Sequence, residues 1–256
     1  MPLADYEGRM ATAYDGGRAL SPQAVDAWAA AATPWLGPAG GGPVLDLGAG
    51  TGRFAGLLAR WSGGPVVAVE PTAAMADRAR AKGLRGVAVV RGGAEAVPLA
   101  GGSVRAVWMS QVVHHIDDLD AAAAELARVL RPGGHVLVRG EFAESEGGRR
   151  SPNLLYRYWP GAERLTVLLP TRRRVADALA AAGLVEVRHT SVAQQTCAGL
   201  REFHARQAVR ADSLLARLDD ADFAAGLAAL ARDAAAETTP RPVVDELSLL
   251  VFRRPG

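Results

Sequence analysis

The chain has 256 residues, 49% of them hydrophobic, and a formal net charge of +2. That length and apolar content suffice for one large domain with a real core. The single cysteine, Cys197, excludes an internal disulfide and a multi-cysteine metal site.

The opening residues show no basic segment followed by an apolar run, and no uncharged apolar run reaches bilayer length; a soluble, cytoplasmic protein is expected. Lysine occurs once, at Lys82, while arginine, alanine and glycine abound. This is the composition of a GC-rich coding sequence, so most arginines need no ligand to explain them. The densest basic cluster, Arg172-Arg173-Arg174, reads as a solvated face, which argues against a nucleic-acid substrate.

In chain order, Ser21 and Pro22 open a helix with Val25, Trp28, Ala29 and Ala32 on one face. Gly40-Gly41-Gly42-Pro43 leads into the first strand. Strands are expected at 44–47, 66–70, 87–91, 104–110 and 135–140, with helices at 53–61, 72–82 and 119–130 between them. Pro132-Gly133-Gly134 ends the last helix. An irregular stretch, 141–170, precedes a helix at 171–182 and a strand at 185–191. Residues 198–233 read as helical, with Leu200, Phe203, Ala211, Leu214 and Leu218 on one face. The chain closes on a strand, 247–252. Alternating strand and helix implies a doubly wound, mostly parallel sheet.

The most informative stretch is Val44-Leu45-Asp46-Leu47-Gly48-Ala49-Gly50-Thr51-Gly52-Arg53. An apolar strand stops at a glycine-rich turn, and Glu70 ends the next strand about twenty residues on. The glycines let backbone N–H groups approach a ligand, and the carboxylate accepts hydrogen bonds from ribose hydroxyls. The spacing G-x-G-x-G with Arg53 next departs from the dinucleotide pattern G-x-G-x-x-G and disfavours an NAD-dependent oxidoreductase.

This motif resembles the first motif of class I S-adenosylmethionine-dependent methyltransferases. The likeness continues in order through Val66–Pro71, Gly93–Leu99, Val107–Ile116 and Ala127–Val138, and is similar to the ubiquinone/menaquinone C-methyltransferase branch. It covers residues 43–140. It implies an α/β fold with a Rossmann-like seven-stranded sheet and a helical cap. The closing strand would be the antiparallel one. One methyltransferase domain over 1–256 is expected, with an N-terminal helical lid at 1–42, a cofactor core at 43–140, and a cap from 141–170 and 198–233. Two departures stand out: Gly93 and Arg105 occupy positions where the family often carries an acid.

The resemblance further implies S-adenosyl-L-methionine as cofactor and S-adenosyl-L-homocysteine as product, with no metal. Cofactor contacts would come from Asp46, Gly48, Ala49, Gly50 and Gly52 in the first turn, and from Glu70, Pro71 and Met75 after the second strand. Gly93, Ala94 and Glu95 would border adenine, and Ser110 and Gln111 would lie near the amino group. Tyr14 and Arg18 would fold over the methionine part. His115 is the first candidate for a general base, then His114, then His204 on the cap. Acceptor recognition is expected from the least family-like parts, where Glu141, Tyr156, Tyr158 and Trp159 would line the pocket; seven arginines against four glutamates over 141–174 leave open an acidic acceptor, its carboxylate held by Arg149, Arg150 or Arg157. The expected reaction is methyl transfer to a small-molecule acceptor in specialised metabolism, by in-line displacement. Two alternatives remain: a macromolecular acceptor (RNA or a peptide terminus), and a protein that binds the cofactor for another purpose.

Overall fold

The computed structural model describes residues 19–143 and 153–256, apart from the side chains of residues 167 and 168. The first helix, α1 (Pro22–Ala32), is capped by Ser21, whose Oγ accepts from Ala24 N–H at 3.1 Å. Its buried face is Ala24, Trp28 and Ala32, one residue per turn; Val25 and Ala29 are only half-buried.

Strands β1 (Val44–Leu47), β2 (Val66–Glu70), β3 (Val87–Arg91) and β4 (Val104–Ser110) alternate with α2 (Ala55–Ser62) and α3 (Ala73–Ala81). Helix α4 (Leu119–Val129) follows, with Asp118 accepting from the N–H groups of Asp120 and Ala121. Next come β5 (Leu130–Gly140), the short helices α5 (Leu154–Tyr158) and α6 (Pro160–Arg164), α7 (Arg172–Ala181) and β6 (Val185–Cys197). The chain finishes with α8 (Leu200–Ala208), α9 (Asp220–Ala236) and β7 (Val243–Arg253).

The seven strands lie in the order β3-β2-β1-β4-β5-β7-β6, and β7 alone runs opposite to the other six. Strand alternation feeds two cores. Leu45, Leu47, Val107 and Met109 face α4 and α7, against Leu126 and Leu179. Val44, Ala106, Trp108 and Leu137 face α1 and α2, against Trp28 and Leu58. Both faces of the central strands are therefore buried, which is why β1 and β4 read as nearly unbroken apolar runs. A third apolar cluster, containing Tyr158, Trp159, Phe203 and Leu230, joins α5, α6, α8 and α9 into a helical layer.

Three expectations change. Strand β5 begins at Leu130, paired with Val104, because α4 stops at Val129 and the Pro132-Gly133-Gly134 turn forms an irregularity within the pairing. Strands β6 and β7 run further than expected, to Cys197 and from Val243, because polar edge residues such as Gln194, Gln195 and Thr196 hide the alternation. The helical stretch 198–233 is broken between Ala208 and Asp220. Arg210, at a left-handed φ of 50°, turns the chain there and donates to Leu215 O at 3.0 Å. Ala211 and Leu214 therefore do not continue the face of α8.

Candidate active site

The strand order reverses between β1 and β4, and the turns leaving these two strands flank the resulting crevice. Gly48, Gly50 and Gly52 have φ values of 70°, 57° and 77°, which L side chains resist. At Gly48 the requirement is double: a Cβ would overlap the side chain of Val112 from the β4 exit. The turn is tied to the next strand, with Gly48 N–H and Ala49 N–H both donating to Val69 O, at 2.8 and 3.1 Å.

Glu70 is buried at the end of β2. Its Oε2 accepts from Gly50 N–H at 2.8 Å and its Oε1 from Thr72 N–H at 2.9 Å. Two backbone donors thus fix the carboxylate in place. Each oxygen keeps a lone pair for a further donor, which suits paired ribose hydroxyls.

The crevice is lined by Gly48, Gly50, Glu70, Pro71, Thr72, Met75, Ser110, Gln111, Val112 and His115. Thr72 is there as the sequence suggested, beside Pro71, whereas Val112 is a member that sequence reasoning gave no role; nothing in its side chain marks it, only its position after a strand. Gln111 has a φ of 56°, in the left-handed region that a non-glycine residue occupies only at a cost. Its N–H donates to Arg139 O at 2.8 Å, and its Oε1 accepts from Glu141 N–H at 3.3 Å.

Other expected cofactor residues stand behind the lining. Gly52 lets the turn close on α3, where a Cβ would come within 3.3 Å of Ala79. Ala94 packs in the sheet core. Glu95 Oε1 accepts from Asp117 N–H at 3.2 Å, bracing the segment after the histidine turn, and Gly93 lies beside it. Asp46 is 2% exposed beneath the glycine turn, and its Oδ2 meets no hydrogen-bond donor among the described residues. Burial pushes its carboxyl up to about 7; Arg53 opposes that rise and Glu70 adds to it. Tyr14, Arg18, Arg149 and Arg150 lie outside the described residues.

The two histidines form the 3-10 turn Val113–His115 after β4, with ring centroids 4.0 Å apart. His115 lines the crevice; His114 does not. His204 sits half-buried on α8, away from that lining.

A second cavity adjoins the first, and Gln111 borders both. Glu141 lies on its wall and accepts from Tyr156 Oη at 2.6 Å. Tyr158 and Trp159 instead belong to the core of the helical layer: Tyr158 donates to Asp233 at 2.9 Å and Trp159 to Phe223 O at 3.1 Å. Arg157 is exposed and pairs with the same Asp233 at 3.1 Å, remote from the cavity lining. The arginine cluster is ion-paired throughout: Arg172 with Glu186, Arg173 with Asp177 and Arg174 with Asp120.

Residues 45–138 match a family model described as a methyltransferase domain. An uncharacterized methyltransferase of Mycobacterium tuberculosis is 43% identical over 130 residues, 50% of this chain and 49% of that protein. The malonyl-acyl-carrier-protein O-methyltransferase of Methylococcus capsulatus is 34% identical over 186 residues, 71% of this chain and 65% of that one. The chain spans about half the length of the first curated relatives it matches. Among solved structures, a (4+2) cyclase has a similar fold, with a TM-score of 0.63 and 22% identity, over 93% of this chain and 84% of that one.

Proposed function

We propose that this chain, which belongs to the class I S-adenosylmethionine-dependent methyltransferases, binds S-adenosylmethionine in the β1–β4 crevice and methylates a small molecule held in the adjoining cavity. The observation that carries the reading is Glu70, held by the N–H groups of Gly50 and Thr72 at the crevice wall. The donor set fits the cofactor. A buried carboxylate suits a ribose diol, Met75 and Pro71 offer apolar contact to a flat base, and Gly48 and Gly50, with no side chains, present backbone on the crevice wall. When bound, S-adenosylmethionine supplies a methyl group already activated by its sulfonium charge, which an acceptor atom displaces in line.

The protein's own part is then placement. Gln111, bordering both cavities, separates cofactor from acceptor and sets their approach. Placement of this kind is worth about 7–11 kcal/mol of a barrier. His115, on the crevice wall, takes the acceptor's proton where one must leave. The paired arginines at 172–174 leave no open basic face among themselves, which supports a small acceptor over a nucleic acid.

Calorimetric titration with S-adenosylmethionine tests the reading. Wild-type protein should bind, and Glu70→Ala should bind at least tenfold more weakly, since a hydrogen bond to a charged group contributes about 1.5–3 kcal/mol. Equal affinity in the variant would remove the reading. A labelled-methyl screen over phenols, carboxylic acids, amines and quinones then identifies the acceptor. The fold likeness to a cyclase favours one second reading, a cofactor-binding protein that transfers no methyl. Its mark would be binding without release of S-adenosylhomocysteine against any acceptor.

A further inference from the structure

The second cavity is built on one face of the sheet where apolar strand residues give way to polar ones. Alternation puts Leu137 and Arg139 of β5, Val192 and Gln194 of β6, and Leu247 and Asp245 of β7 on that face. The leucines and valine join the core, and the next residue outward on each strand borders the cavity.

Gln194 is 8% exposed, and its amide orientation is fixed chemically. Its Oε1 accepts from the indole Nε1 of Trp28 at 2.9 Å and from Nη2 of Arg139. Both partners are obligate donors, so the amide cannot be turned round. Arg139 is itself held, with Nη1 donating to Ser110 Oγ at 2.9 Å and its guanidinium 4.6 Å from the Trp28 ring centroid. The Gln194 Nε2 group meets no acceptor among the described residues, and Gln194 lines the cavity. A buried amide with both oxygen lone pairs engaged thus offers two N–H donors beside the Arg139 guanidinium, in a cavity where Arg53, Arg139 and Arg206 balance Glu141, Asp212 and Asp245, the last opposite Gln194 in the strand pairing.

We propose that Gln194 Nε2 is the recognition point for a carboxylate on the acceptor, and that the methylated substrate is a small carboxylic acid. The inference rests on the proposed function for the placement of the cofactor and adds the acceptor's chemical class. Arg139 acts through Gln194 as a positioning residue. Arg157, the carboxylate holder suggested by the sequence, points to Asp233 instead.

The test uses full-length protein saturated with S-adenosylhomocysteine and titrated calorimetrically with glycine, 3-hydroxypropanoate and 4-hydroxybenzoate, each against its primary amide. At least one carboxylate should bind tenfold or more tightly than its amide. Gln194→Glu should abolish that preference, because it keeps an acceptor for Trp28 and Arg139 while presenting an oxygen anion to the cavity. Affinity for S-adenosylhomocysteine should stay within twofold, which also shows that the variant folds. Equal binding of acid and amide by wild-type protein, or no binding of any carboxylate, overturns the inference and leaves the cofactor reading standing. Failure to bind S-adenosylhomocysteine overturns both together.

Discussion

Asp46 carries a plain physical conflict, a carboxyl buried in the core. It sits beneath the glycine turn with one oxygen lacking a donor among the described residues, and burial raises its carboxyl to about 7. The unfolded chain would ionise it near 4, so the folded state holds the proton more firmly between those values. Stability therefore falls as pH rises from about 4 to about 7 and levels off above, by on the order of a few kcal/mol. Asp46→Asn should flatten this slope, so that thermal unfolding midpoints at pH 5 and pH 8 converge. A difference as large as in wild type would refute the assignment. His115 tests the chemistry at the same scale. Under the proposed reaction, His115→Asn should lower kcat by about 10²–10⁴-fold for an acceptor that must lose a proton. Cofactor affinity by calorimetry should be nearly unchanged.

At the scale of elements, the sheet was legible and the helical layer was not. Val44–Leu47 and its glycine turn announce themselves because a buried parallel strand admits little but apolar residues, and left-handed turns demand glycine. The outer half of β6 escaped notice because Gln194, Gln195 and Thr196 are polar for reasons that exist only in three dimensions: Gln194 answers Trp28 and Arg139, both distant in sequence. The cap misled because alanine fits every helical register, so the break at Arg210 left no trace in the periodicity. Tyr158 and Trp159 look equally suited to a pocket or a core, and only their bonds to Asp233 and Phe223 O place them in the core. Helix α9 shows how tight that core is. A Cβ at Gly226 would overlap the indole of Trp159. Gly226→Ala should therefore destabilise by about 1–3 kcal/mol through overpacking, reversing the usual helical preference for alanine. Denaturant unfolding measures it; a stabilised variant would show that Trp159 yields freely.

Across the whole molecule, Arg105 ties segments distant in sequence. It is 4% exposed at the start of β4. Its guanidinium donates to Leu36 O at 2.9 Å, Ala39 O at 2.6 Å, Gly42 O at 2.7 Å and Ser62 O at 3.0 Å. It joins the segment after α1 and the end of α2 to the central strand. The departure from the family's acid at this position thus has its own architecture: four carbonyls converge where a carboxylate would be repelled. Arg105→Lys keeps the charge but cannot span all four acceptors. It should cost about 2–4 kcal/mol by losing charge-assisted bonds to buried carbonyls, read as a lowered denaturant midpoint with an unchanged slope. An unaltered midpoint would mean that water replaces the guanidinium there.

The position of β7 bears on how the molecule is made. It lies between β5 and β6, yet it is the last of the three to be synthesised. While residues 243–253 remain inside the ribosome, β5 has an open edge and β6 has no strand partner among the described residues. The inner part of the sheet can assemble early, but the floor that carries Gln194 cannot. A nascent chain halted before Val243 would therefore carry unpaired strand edges, each a template for pairing with another chain, until β7 fills the gap.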